Sequence, residues 1–120
     1  MQERRQYVRL NIPLEISYAV QGEKTPLHKT VTKNISPNGA RFILERDLPK
    51  GTIVEMEVKI PTRPEAIRVK AKVIWTKKQS GPDEQNYDAG LEFIQISEEN
   101  KNDFFQYFCN LMYDQFKKIE

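Results

Sequence analysis

From Val8 to Tyr18 every even position is apolar (Val8, Leu10, Ile12, Leu14, Ile16, Tyr18), while Arg9, Asn11, Glu15 and Ser17 hold odd ones. Successive side chains of an extended chain point to opposite faces, so this period of two predicts a strand with one face buried. Pro13 interrupts the run and predicts an edge or a bulge at that point. Residues 21–26 read as a turn and residues 27–34 as a Thr-rich strand. Ala40, Phe42 and Leu44 form the inward face of a third strand behind Asn38-Gly39. Pro49-Lys50-Gly51 marks another turn, after which Val54, Met56, Val58 and Ile60 alternate with Glu55, Glu57 and Lys59. Ile67, Val69, Ala71, Val73 and Trp75 continue the pattern in a fifth strand, with Trp75 assigned by its phase to the buried face. Tyr87, Ala89, Leu91 and Phe93 supply a sixth beyond the polar loop at 79–86.

The period changes after residue 96. Phe104, Phe105, Phe108, Leu111, Met112, Phe116 and Ile119 recur at steps of three and four, while Asp103, Gln106, Asn110, Asp114 and Lys117 share the other side. This predicts a helix over 97–118, with Ser97 as N-cap, Glu98 and Glu99 at the positive end of its dipole and Lys117 and Lys118 near the negative end. Six short strands without βαβ spacing have edges to protect. Closing them into a barrel with the helix packed across it is one economical solution. The chain is mainly β on this reading: a single domain over residues 1–120, with a flexible N-terminal arm at 1–7 and a barrel over 8–94.

At 120 residues, 38% hydrophobic and 30% charged, with six Phe, five Tyr and one Trp, the chain has the makings of one packed core. Its apolar runs are far shorter than the roughly 20 residues of a membrane span, and Met1 to Arg5 has no signal-peptide core. A cytoplasmic location is the expectation. The one cysteine, Cys109, excludes an internal disulfide, and with the one histidine, His28, it cannot build a zinc cluster. The net charge of +2 is unevenly spread. Residues 1–46 carry 8 basic against 4 acidic groups, 47–96 carry 8 against 8, and 97–120 carry 3 against 5. This modest frontal excess suits a small anionic ligand better than a nucleic-acid duplex.

Two segments carry candidate chemistry. In Glu3-Arg4-Arg5-Gln6-Tyr7-Val8-Arg9, Arg5 and Arg9 lie four residues apart, so an extended chain projects both away from the apolar face. A guanidinium can fork onto guanine O6 and N7, stack on a base or grip a phosphate. In Asn34-Ile35-Ser36-Pro37-Asn38-Gly39, an amide, a hydroxyl and a glycine backbone converge between two strands. Asn34 suits a base edge and Ser36 a phosphate oxygen, while Gly39 lets the main chain come close to a ligand.

The order and spacing of Arg5-Gln6-Tyr7-Val8-Arg9 and Asn34-Ile35-Ser36-Pro37-Asn38-Gly39 resemble the paired signature of the PilZ family. Val73-Ile74-Trp75 and Gly90-Leu91-Glu92-Phe93 resemble its later strands, so the resemblance spans essentially the whole chain. It implies a six-stranded antiparallel PilZ-type β-barrel with a C-terminal α-helix. It also implies a receptor for cyclic di-GMP that acts on an unidentified protein target, with no further cofactor. Arg5, Arg9, Asn34, Ser36 and Gly39 would hold the ligand. Arg4, just ahead of the motif, is associated in the family with two intercalated ligand molecules. Asn38, Arg41 and Trp75 are secondary candidates, Arg41 because it points outward two residues beyond Gly39 and Trp75 because some relatives contact ligand there.

Three rivals remain at this point. An enzyme would have to use Cys109 with His28, but the cysteine falls in an apolar helix where a buried, inert thiol is expected, and the histidine has no evident carboxylate partner. An RNA-binding small barrel would need outward aromatics among its basic residues, and Tyr7 is the obvious one. A PilZ-like domain without ligand would act through protein contacts alone.

Overall fold

The apolar alternations bring their inward side chains together in one core. The computed structural model describes residues 9–23, 27–83 and 85–119. In it β1 (Glu15–Val20), β2 (His28–Ser36), β3 (Gly39–Leu44), β4 (Ile53–Val58), β5 (Ile67–Lys78) and β6 (Tyr87–Ile96) are followed by α1 (Lys101–Ile119). The strands close into an antiparallel barrel in the order β1-β2-β3-β6-β5-β4. Ile16, Tyr18, Phe42, Leu44, Val54, Met56, Val58, Ile67, Val69, Val73 and Leu91 fill its interior. The expected arm at 1–7, with Arg4 and Arg5, lies outside the described residues.

Three departures from the sequence expectation have a local reason. The first alternation is not one strand: β1 begins only at Glu15, and Leu10 pairs separately with Ile35. Pro13 has no N–H to offer a ladder, and the buried Thr32 hydroxyl bridges the gap. It donates to the Ile12 carbonyl at 2.7 Å and accepts from the Leu14 N–H at 2.9 Å. The phase survives the break, since Leu10, Leu14, Ile16 and Tyr18 are all buried.

In β5, Trp75 is 42% exposed rather than buried. The register with β6 steps from Val73↔Leu91 to Trp75↔Gly90, so two residues of β5 oppose one of β6. The extra residue of this bulge reverses the phase beyond it and turns the indole outward.

The third departure is at the helix start. A 3₁₀ turn (Glu98–Asn100) precedes α1, and Ser97 makes no side-chain cap; its carbonyl accepts from the Asn100 N–H instead. Phe104, Phe108 and Tyr107, the last absent from the expected stripe, are buried and join the barrel core. Phe104 packs against Phe93 of β6 with ring centroids 5.8 Å apart. Cys109 is exposed on α1, not buried.

Candidate ligand-binding face

Arg9, the last residue of the first motif segment, meets the second segment on the outside of the barrel. Arg9 and Asn34 are 25 residues apart in sequence, yet Arg9 Nη1 donates to Asn34 Oδ1 at 3.1 Å. The bridge between Leu10 and Ile35 places them side by side: two backbone hydrogen bonds of 2.8 and 3.0 Å lay the chain after Arg9 against the end of β2. Asn34 and Ser36 belong to β2 itself, and the connection to β3 is the two-residue turn Pro37-Asn38. The Ser36 hydroxyl is fully buried and donates to Asn38 Oδ1 at 2.6 Å, while the Asn38 N–H donates back to it at 3.3 Å. As folded, Ser36 therefore holds the turn.

Gly39 has no positive φ. Its lack of a side chain answers to packing: a Cβ would stand 2.6 Å from the Leu91 carbonyl oxygen of β6 and 3.5 Å from Arg9 Nη2. The glycine lets β3 lie tight on β6 directly beneath the Arg9 guanidinium.

Beyond the turn, register builds a row across four strands. Asn34 of β2 faces Arg41 of β3, Arg41 faces Gly90 of β6, and Gly90 faces Trp75 of β5. A Cβ on Gly90 would overlap the Trp75 indole, so glycine makes room for the ring against the strand. The Arg41 guanidinium stands 5.9 Å from the ring centroid, within cation–π range. Its other partner is Asp88, to which Nε donates at 3.0 and 3.1 Å and Nη2 donates as well. Lys33 Nζ lies 3.8 Å from the same carboxylate. The Arg41 hydrogen bonds, followed by the charges of Arg41 and Lys33, hold the Asp88 pKa below its ordinary value against the opposing effect of burial.

Of the expected site residues, Arg9, Asn34, Ser36, Asn38 and Gly39 thus gather at the β2–β3 turn, and Arg41 and Trp75 stand beside them. Arg4 and Arg5 fall outside the described residues. Sequence reasoning missed Asp88 and Gly90. A charge at the second position of a strand that is otherwise largely apolar was the available signal for Asp88. Gly90 opens the run Gly90-Leu91-Glu92-Phe93 already noted, but its place beneath Trp75 depends on the bulge that brings the indole over it. His28 does have a carboxylate neighbour, Glu45 Oε2 at 3.4 Å, and its ring stacks on Tyr18. Among the described residues no group of three or more His, Cys, Asp or Glu could hold a metal ion. No helix there is long and apolar enough to cross a membrane.

The family model described as PilZ domain matches residues 3–108. The chain belongs to the PilZ family. Solved structures share its fold at low identity. The Bacillus subtilis inhibitor of motility (MotI/DgrA) superposes with a TM-score of 0.73 at 20% identity, covering 94% of this chain and 53% of that one. The PilZ domain of YcgR from Escherichia coli, solved with c-di-GMP, gives 0.65 at 16% identity and 98% coverage of both chains. PlzA of Borreliella burgdorferi, in complex with c-di-GMP, gives 0.62 at 12% identity, covering 93% of this chain and 52% of that one. This PilZ domain therefore spans about half the length of the Bacillus and Borreliella proteins and nearly all of the Escherichia coli domain. No curated protein matches it by sequence.

Proposed function

We propose that this PilZ domain is a cyclic di-GMP receptor that converts ligand binding into a changed surface for a protein target. The observation that carries the reading is the Arg9–Asn34 hydrogen bond. It joins the two halves of the signature into one polar cradle on the outer barrel wall. Family membership and the c-di-GMP complexes of YcgR and PlzA support the ligand class.

The chemistry follows from the side chains. Arg9, with Arg5 from the segment ahead of it, can fork onto a guanine edge or a phosphate, each good bidentate contact contributing about 1–3 kcal/mol of discrimination. Asn34 adds an amide to the base edge, and the exposed Trp75 face offers a surface on which a flat base can stack. Ser36 and Gly39 shape the floor, the first by fixing the turn and the second by removing bulk under Arg9. No step calls for a catalytic group, and the function is recognition.

Isothermal titration with cyclic di-GMP tests this directly. Arg9→Ala and Arg5→Ala should each weaken binding by about 1–3 kcal/mol, and a stoichiometry near two per chain would assign Arg4 to a second, intercalated molecule. If the parent protein gives no signal at about millimolar ligand, where binding worth only about 4 kcal/mol registers, the reading is overturned.

A further inference from the structure

Asp88 belongs to neither signature segment, yet it is the residue to which Arg41, beside the cradle, is tied. Its carboxylate side chain is only 11% exposed, and it takes the Nε–Nη2 edge of Arg41 side-on. An exposed arginine ordinarily samples many rotamers; one gripped along this edge has its guanidinium plane set. The plane is held beside the Trp75 ring, and Trp75 is in turn seated on Gly90. The end-on edge, Nη1 with the second Nη2 hydrogen, is left pointing away from Asp88, the geometry that matches guanine O6 and N7 or a phosphate. Lys33 on β2 adds a second cation to the carboxylate, so the cluster retains net positive charge.

We infer that Asp88 is a positioning residue for nucleotide recognition: by fixing the Arg41 guanidinium beside Trp75 it pre-forms a shelf that accepts a guanine base at the edge of the cradle. The inference rests on the reading of this face as a cyclic di-GMP site. It runs against simple charge counting, by which removing an acidic group beside an anion site tightens binding. Here the loss of orientation outweighs the gain in charge, since an arginine ordered in advance does not have to be ordered by the ligand.

A double-mutant cycle separates the two views. In the parent background, Asp88→Asn should weaken cyclic di-GMP binding by about tenfold, within the range of one bidentate base contact. Asp88→Glu should restore part of the loss. In an Arg41→Gln background, Asp88→Asn should have no further effect. Trp75 is the one tryptophan in the chain, so its fluorescence provides a readout of the same cycle that needs no ligand. The emission should change on Asp88→Asn with Arg41 present and stay unchanged in the Arg41→Gln background. A parent that binds the dinucleotide while Asp88→Asn binds equally or more tightly overturns this inference and leaves the receptor reading standing. Equal losses in both backgrounds also overturn it, because they indicate a structural role independent of Arg41. A parent that does not bind at all brings down the receptor reading, and the inference with it.

Discussion

At the scale of single residues, Gly39 shows how a motif position can be demanded by packing rather than by backbone conformation. The relevant neighbour of a Cβ there is the backbone carbonyl oxygen of Leu91, which cannot rotate away, so β3 and β6 would have to separate. Gly39→Ala should therefore cost about 1–3 kcal/mol of stability, the usual range for overpacking, measured as a lower midpoint in chemical denaturation. It should weaken ligand binding as well, since the same displacement moves the surface under Arg9. Gly90 makes a useful contrast. Its added Cβ would meet a side chain, Trp75, which can swing aside, so stability should suffer less there than the seating of the indole.

At the scale of elements, the helix is attached to the barrel in two ways. Phe104, Tyr107 and Phe108 join the core, and Arg63, in the loop between β4 and β5, reaches over to the start of the helix. Arg63 Nη1 donates to Asn100 Oδ1 at 2.7 Å and to Asp103 Oδ2 at 3.0 Å, while its Nε donates to the Glu65 carbonyl at 3.1 Å. The Arg63 side chain is 17% exposed but that of Asp103 64%, so this ion pair is a surface one. Arg63→Ala should cost the fold about 1 kcal/mol or less and speed amide exchange in the first turn of α1, with the barrel amides unaffected. Slower or unchanged exchange there would show that the aromatic contacts alone hold the helix. The bulge in β5 is the other decisive element: without it Trp75 would lie in the core, and the row Asn34, Arg41, Gly90, Trp75 would not exist.

At the scale of the whole molecule, closure of the barrel brings β2, β3, β6 and β5 side by side, and with them the candidate ligand face. If, as the proposed mechanism has it, the ligand fixes Arg4 and Arg5, each residue fixed costs roughly 1–2 kcal/mol of backbone entropy, to be offset by its contacts. On the proposed mechanism, saturating cyclic di-GMP should slow hydrogen exchange across residues 1–9. Unchanged exchange would remove the ordering step while leaving binding itself intact. Such a segment, laid down over Asn34 and the β2–β3 turn, is the kind of change a protein target can read.

The number of strands, their inward faces and the C-terminal helix were legible in the chain because burial on one side of a strand or helix imposes a short, local period on the side chains. The motif residues were legible for a similar reason: Arg9, and Asn34 through Gly39, are short segments with recognisable spacing. What the chain alone left open depends on partners distant in sequence. That Thr32 bridges the gap made by Pro13, that Trp75 turns outward, that Gly39 and Gly90 make room for Leu91 and the indole, and that Asp88 holds Arg41 are all set by register between strands. A one-residue bulge reverses which face a side chain occupies. No local period encodes it, so the outer face took its final form only when β5 and β6 were paired.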